Sequence, residues 1–201
     1  MSGLKLEPGD ILVNVITGNS LYNKIKRACL GNPYSHVFLY LGELGLFSTR
    51  AQRRIIRVPM LFESNGRGVV LRSLAERSGE KVVVMRLISE HDRRRISRVL
   101  IEAIELASDL QSYYDYLGTV RWVLPRIICE KLGLPMPLSW HRDERQICSE
   151  AVFEVFYRAR LVDILPANVV PLPGDFVFDS PLLEEVGVGE LSESALQRHP
   201  E

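Results

Sequence analysis

Short and largely apolar runs of six or seven residues follow one another in the first half of the chain, and turn residues separate them. These runs are residues 11–16, 35–41, 58–64, 69–74 and 81–87. Such runs are typical of buried strands, whose successive side chains point to opposite faces of the sheet. Because the runs follow one another closely, they predict an antiparallel meander, with an irregular stretch at 43–57.

A period of 3.6 residues marks other segments as helices. These are residues 20–30, a segment that follows Ser89 and reaches Leu110, and residues 119–132 and 148–160. Ser20 and Ser89 are suited to cap the first two helices, and Gly31 is suited to end the first. The whole pattern predicts an α+β fold in which an antiparallel sheet packs against helices.

The composition is that of a globular protein. The 201 residues are 46 % hydrophobic, and 25 Lys and Arg balance 25 Asp and Glu. A net charge of zero does not indicate a nucleic-acid partner, and no apolar run is long enough to predict a membrane span. We therefore expect one domain over residues 1–186, followed by a polar, flexible tail at residues 187–201.

The three cysteines differ in their surroundings. Their irregular spacing, and an N-terminus without an apolar signal region, favour a reducing, cytoplasmic location. Cys29 and Cys129 lie within apolar helical patterns, where a cysteine is usually a small core residue. Cys148 opens a helix, where backbone N–H groups and the dipole favour a thiolate, and Arg142 and Arg145 lie just upstream. Cys148 is therefore the candidate nucleophile.

His36 is the candidate base, and His141, in a predicted loop, is the alternative. The strands at 35–41 and 58–64 most simply pair antiparallel, which places His36 at the start of one beside Glu63 at the end of the other. Directly opposed residues on neighbouring strands have Cβ atoms about 4.5–5.5 Å apart. Glu63 is thus predicted to orient the imidazole and to raise its basicity, as a catalytic base requires.

Five short motifs spread over residues 7–180 also occur in a recognisable order. They are PGDILV (8–13), SHVFLYLG (35–42), FESNGRGVVLRSL (62–74), YYDY (113–116) and ICSEAVFEVF (147–156). This set resembles the permuted papain-like cysteine hydrolases, the circularly permuted NlpC-type group that includes YiiX-type proteins and lecithin retinol acyltransferase. Ordinary papain-like enzymes have the cysteine before the histidine, whereas here the order is His, acid, Cys. The resemblance implies a circularly permuted papain-like fold.

The resemblance also implies a role for each matching residue. Cys148 would be the nucleophile, His36 the base and Glu63 the residue that orients the base. Tyr114 or Tyr116, in the tyrosine-aspartate motif, would line the substrate site. The implied reaction is hydrolysis or acyl transfer at an amide or ester bond of a peptide, cell-wall or lipid-like substrate. It proceeds through a thioester and uses neither a metal nor another cofactor.

The segment at 119–140 is a large insertion relative to that group. It ends close to Cys148, and its apolar side chains exceed what a connecting segment needs. We expect Trp140 and Leu134 to belong to one wall of an apolar cleft that binds the substrate. The alternative is that these side chains only cover the outer face of the domain.

Three other readings stay open on the sequence. A non-catalytic ligand-binding domain would keep the pocket without needing the thiolate. A metal site would have His36, Glu63, His141 and Cys148 as its ligands. These are ligand types that zinc accepts, although no two of them are separated by the short spacing that is common in zinc sites. Membrane attachment through residues 119–138 is the third reading, and we expect instead a helix packed on the domain. The oligomeric state is not indicated.

Overall fold

A computed structural model describes most of the chain. The described residues are 4–48, 54–65, 68–109, 124–134, 147–161, 164–166 and 170–192. Their strands are β1 (Ile11–Val15), β2 (Tyr34–Ser48), β3 (Arg54–Asn65), β4 (Gly68–Ser73), β5 (Lys81–Leu87) and β6 (Leu183–Glu190). Their helices are α1 (Leu21–Leu30), α2 (Glu90–Arg93), α3 (Ile96–Ser108), α4 (Leu124–Leu132), α5 (Cys148–Arg158) and α6 (Asp175–Phe178). A 3₁₀ turn spans Leu74–Arg77.

The six strands form one antiparallel sheet in the order β4-β3-β2-β1-β5-β6. The helices α3 and α5 pack against each other, and α5 lies on β2 and β3. The predicted α+β fold, with an antiparallel sheet packed against helices, is therefore confirmed. None of the described helices combines the length and the apolar character that a membrane crossing would need.

The hairpin of β2 and β3 is longer than the sequence pattern predicted. The two strands pair from Leu39 with Phe62 out to Ser48 with Arg54. The prediction of an irregular stretch at 43–57 is therefore wrong for residues 43–48 and 54–57. The reason is that backbone hydrogen bonds continue the ladder beyond the core, where exposed residues such as Ile55 give no alternating pattern.

Two other boundaries differ from the predicted ones. The helix expected after Ser89 is divided, since α2 ends at Arg93 and α3 begins at Ile96, although the Ser89 side chain caps α2 as predicted. Residues 187–190, which were predicted to start the flexible tail, belong to β6 and pair with β5. The single-domain assignment itself stays a prediction.

Both faces of the sheet are covered by buried side chains. The larger cluster includes Val37, Leu39 and Phe62 and extends to the apolar face of α5. A smaller cluster on the other face contains Phe38 and Leu61. The alternation of Val37, Phe38 and Leu39 between the two clusters follows from the period of two along β2. This double burial holds rigidly the strand that carries His36.

Candidate active site

His36 lies near the start of β2, opposite Asn14 of β1. Its side chain is 21 % exposed, so one side of the imidazole reaches solvent. The ring also packs edge-on against Phe38, with 4.6 Å between the ring centroids. The histidine that the sequence pattern singled out is thus held by strand pairing and by an aromatic neighbour.

Glu63 of β3 accepts a hydrogen bond from this imidazole. The distance from His36 Nε2 to Glu63 Oε2 is 3.1 Å, and the Glu63 side chain is fully buried. The contact of His36 with Glu63 was predicted, but the register of β2 against β3 was not. The ladder aligns Leu39 with Phe62, which places Glu63 beside Phe38 and makes His36 its diagonal neighbour. Diagonal Cα atoms are about 7–8 Å apart, a span that two long side chains bridge.

Two arginines and an asparagine also contact the carboxylate oxygens of Glu63. Arg77 Nη2 donates to Oε1 at 2.8 Å and to Oε2 at 2.7 Å, and Asn65 Nδ2 donates to Oε1 at 2.9 Å. Arg72 Nε forms an ion pair with Oε1 at 2.9 Å. Burial alone would raise the pKa of Glu63, but the hydrogen bonds from His36, Arg77 and Asn65 and the charge of His36 lower it to about 2.

Sequence reasoning missed these arginines, although one of them left a signal. In the predicted hairpin of 58–64 with 69–74, Val70 lies opposite Glu63, and Arg72 is the next residue on the same face. Arg77 comes from the 3₁₀ turn after β4 and could not be placed from a strand pattern. Its guanidinium also lies over the ring of Phe38, 5.0 Å from the centroid.

Cys148 is the first residue of α5, and its side chain is buried. Its sulfur interacts with His36 and accepts backbone hydrogen bonds from Val37 and Ser149. Burial would raise the pKa of the Cys148 thiol, but the positive charge of His36 and these three hydrogen bonds together lower it. The site therefore stabilises the thiolate more than water does around a free cysteine.

The imidazole lies between the thiol and the carboxylate. Because Nε2 bonds Glu63, Nδ1 is the ring nitrogen that is left for the sulfur of Cys148. Burial would lower the pKa of His36, but the negative charge and hydrogen bond of Cys148, together with those of Glu63, raise it to about 9. The thiolate and the imidazolium therefore stabilise each other in this arrangement.

Two hydrogen bonds fix the start of α5, one to a distant segment and one within its first turn. Ser149 Oγ donates to the carbonyl of Pro171 at 2.6 Å, and the backbone N–H of Ile147 donates to Glu150 Oε2 at 2.8 Å. The segment around Pro171 is in turn tied to α4 by a buried ion pair. Arg126 donates to both carboxylate oxygens of Asp175, at 2.6 and 2.9 Å. The sequence analysis did not identify this pair.

A cleft of about 460 Å³ opens beside His36. Its lining is mostly polar: Asn14, Val15, Ile16, Thr17, Asn23, Lys26, Ser35, Arg77, Gly79, Glu80 and Lys81 complete it. Asn14 is fixed there by a hydrogen bond to Glu80 at 2.6 Å and by one from Ser35 at 2.9 Å. The cleft therefore contacts the site at His36, whereas Cys148 does not line the cleft.

Several predicted site residues lie outside the described residues. They are Tyr114, Tyr116, Trp140 and His141, so their predicted roles stay predictions. Of the insertion at 119–140, the structure describes residues 124–134, in which Ile127 is buried while Leu124 and Leu134 are exposed. Cys129 is half-buried in α4, and for Cys29 only the backbone, in α1, is described.

Comparison with known proteins supports the fold. No model of a protein family matches the sequence, and no curated protein matches it either. Among solved structures, the chain is similar to the crystal structure of metalloprotein yiiX from Escherichia coli O157:H7, a DUF1105 protein, with a TM-score of 0.55 and 18 % identity. The similarity covers 92 % of this chain and 98 % of that chain. The chain therefore has a YiiX-like α+β fold.

Proposed function

We propose that this protein is a cysteine hydrolase or acyltransferase that acts on an amide or ester bond. In this proposal Cys148 is the nucleophile, His36 is the general base and Glu63 orients the imidazole. One observation carries it: a thiol at the start of a helix bonds an imidazole whose other nitrogen bonds a fully buried carboxylate. Nucleophile, base and orienting acid in one chain of hydrogen bonds are typical of activated nucleophiles.

The chemistry follows from the two ring nitrogens. His36 takes the thiol proton at Nδ1, and the thiolate of Cys148 attacks the carbonyl carbon. The oxyanion forms near the backbone N–H groups at the start of α5, where one such donor is worth about 2.7–4 kcal/mol. When the intermediate collapses, the carbonyl carbon loses its amine or alcohol, which takes the proton from His36. Water or a second acceptor then attacks the thioester and frees the thiol.

The circularly permuted papain-like class is part of this proposal. Its support is the order of the residues, with His36 on β2, Glu63 on β3 and Cys148 at the start of a later helix. The YiiX-like fold is compatible with that class. We also propose a cytoplasmic location, because Cys129 and Cys148 are both unpaired, as expected of a protein in a reducing compartment.

The substrate is proposed to be a peptide, a small molecule or a lipid-like compound. The cleft beside His36 adds one requirement, since its polar wall favours a polar group on the substrate next to the reacting carbonyl. The apolar wall predicted from residues 119–140 would bind an apolar part of the substrate.

Profiling with thiol-directed acyl probes tests the proposal. An acyl-enzyme adduct is expected on Cys148 in the intact protein and is expected to be absent in Cys148→Ala. The matched control is Cys129→Ala, which removes an unpaired cysteine outside the site and is expected to keep the adduct. A non-catalytic binding domain would instead bind ligand without forming an adduct.

A metal site is the second reading, because the similar yiiX structure is described as that of a metalloprotein. The donors among the described residues do not fit a metal site. The described residues contain no group of three or more His, Cys, Asp and Glu side chains that could hold a metal. The Glu63 carboxylate is also taken by Arg77 and Arg72. Metal analysis of the purified protein checks this directly: a stoichiometric metal lost in Cys148→Ala would contradict the hydrolase reading.

A further inference from the structure

The helix α1 exposes three large apolar side chains. Leu21 is 74 % exposed, Tyr22 70 % and Ile25 54 %. Leu21 and Ile25 are four residues apart and therefore lie on one face of the helix. Surface helices of globular proteins normally turn such a face to the core, so this face lacks the burial that its pattern predicts.

The same helix is basic. It carries Lys24, Lys26 and Arg27, and residues 21–30 include no acidic residue. Within the described part of the chain, neither lysine forms an ion pair with an acidic side chain, and Lys26 Nζ lies over the ring of Tyr22, 6.0 Å from its centroid. The charge of α1 is thus available to an external partner.

The end of α4 extends this surface. Lys131 Nζ donates a hydrogen bond to the carbonyl of Ala28, which places the last turn of α4 against the end of α1. Leu132, the last residue of α4, is exposed. The acidic residue nearby, Glu130, is already paired with Arg126 at 2.6 Å.

We propose that α1 and the end of α4 form a membrane-docking surface for an anionic bilayer, consisting of Leu21, Tyr22, Ile25 and Leu132 with Lys24 and Lys26. The apolar side chains enter the boundary between headgroups and acyl chains, and the lysines reach the lipid phosphates. A bilayer fits better than a protein partner, because lysine is depleted in the cores of protein interfaces.

Docking in this way places the candidate active site at the membrane surface. Asn23 and Lys26 of α1 also line the cleft beside His36. The inference does not depend on the proposed reaction, because it rests on the exposure and charge of α1. If both hold, the substrate is one that this cleft receives at the lipid interface.

Flotation of the full chain with lipid vesicles tests the docking surface. We expect at least about five-fold stronger partitioning into phosphatidylcholine vesicles that contain phosphatidylglycerol than into pure phosphatidylcholine, and weaker partitioning as salt is added. Ile25→Gln is expected to lower the partition coefficient about ten-fold, and Lys24→Gln about five-fold.

Ile101→Gln on α3 is the matched control, because Ile101 is also 54 % exposed but lies on a helix that carries Glu102 and Glu105. It is expected to leave partitioning unchanged. Absence of flotation, equal flotation with both kinds of vesicle, or an equal loss in Ile101→Gln overturns the proposal. Concentration-dependent dimerisation that Ile25→Gln abolishes, without flotation, also overturns it and assigns the surface to a second copy of the chain. Leu132→Gln repeats the test if Ile25→Gln alters the thermal unfolding curve.

Discussion

The buried carboxylate of Glu63 offers the sharpest test of the electrostatics of the site. Replacing Glu63 by Gln keeps the shape of the side chain but removes the charge that pairs with His36, Arg72 and Arg77. The two arginines then keep their positive charges beside a neutral amide. Removing one partner of a buried ion pair typically costs about 3–5 kcal/mol. We expect the lower end of this range, because each arginine keeps a second carboxylate partner.

The pKa of Glu63 gives an independent magnitude. It falls from an ordinary value of 4.5 to about 2, and this difference corresponds to about 3 kcal/mol of stabilisation of the folded state. Since the folded-state pKa is the lower one, the unfolded chain binds more protons between pH 4.5 and about pH 2. The stabilisation is therefore complete above pH 4.5 and is lost as the pH falls through that window.

Urea denaturation over a series of pH values measures both effects. Glu63→Gln is expected to lower the free energy of unfolding at neutral pH by about 3 kcal/mol and to lose most of the acid-induced fall seen in the unmodified protein. The control is Glu76→Gln, which removes an exposed partner of Arg72 and is expected to cost less than about 1 kcal/mol. The reasoning is refuted if Glu63→Gln is as stable as Glu76→Gln or keeps the full acid dependence.

Two further changes test the support of α5. Arg126→Met leaves the Asp175 carboxylate buried without its partner, and we expect the free energy of unfolding to fall by about 3–5 kcal/mol in urea denaturation; a loss below about 1 kcal/mol would contradict this. Ser149→Ala leaves the buried carbonyl of Pro171 without its hydroxyl donor, and thermal unfolding should report a loss of about 1–3 kcal/mol, whereas an unchanged midpoint would count against the hydrogen bond.

Strands marked by a short apolar run were predictable from the sequence. Residues 81–87, which contain the run Val82–Met85 and follow a turn, match β5 residue for residue. The outer halves of β2 and β3 were not predictable in this way. Their ladder depends on backbone hydrogen bonds that include exposed residues such as Gly45 and Arg57, and those bonds leave no mark in the apolar pattern. For the same reason the last residues of β6, an edge strand whose side chains are mostly exposed, were predicted to belong to a flexible tail.

The contact between His36 and Glu63 was predictable because both strands were visible and an antiparallel pairing was the simplest one. The exact register was not, since it follows from the alignment of Leu39 with Phe62 and a register shift between Tyr40 and Gly42. One long-range ion pair was missed. Arg126 and Asp175 are 49 residues apart in the sequence, and only the contact of α4 with the start of α6 brings them together.

In the proposed mechanism, His36 holds Cys148 as a reactive thiolate. The rate of Cys148 alkylation by iodoacetamide as a function of pH, followed by mass spectrometry, measures this, with Cys129 as the reference in the same sample. We expect a midpoint for Cys148 below its ordinary pKa of 9.0 and a rate at neutral pH that falls at least about ten-fold in His36→Ala. Equal rates and midpoints for Cys148 and Cys129, or a His36→Ala variant that alkylates like the unmodified protein, would contradict it.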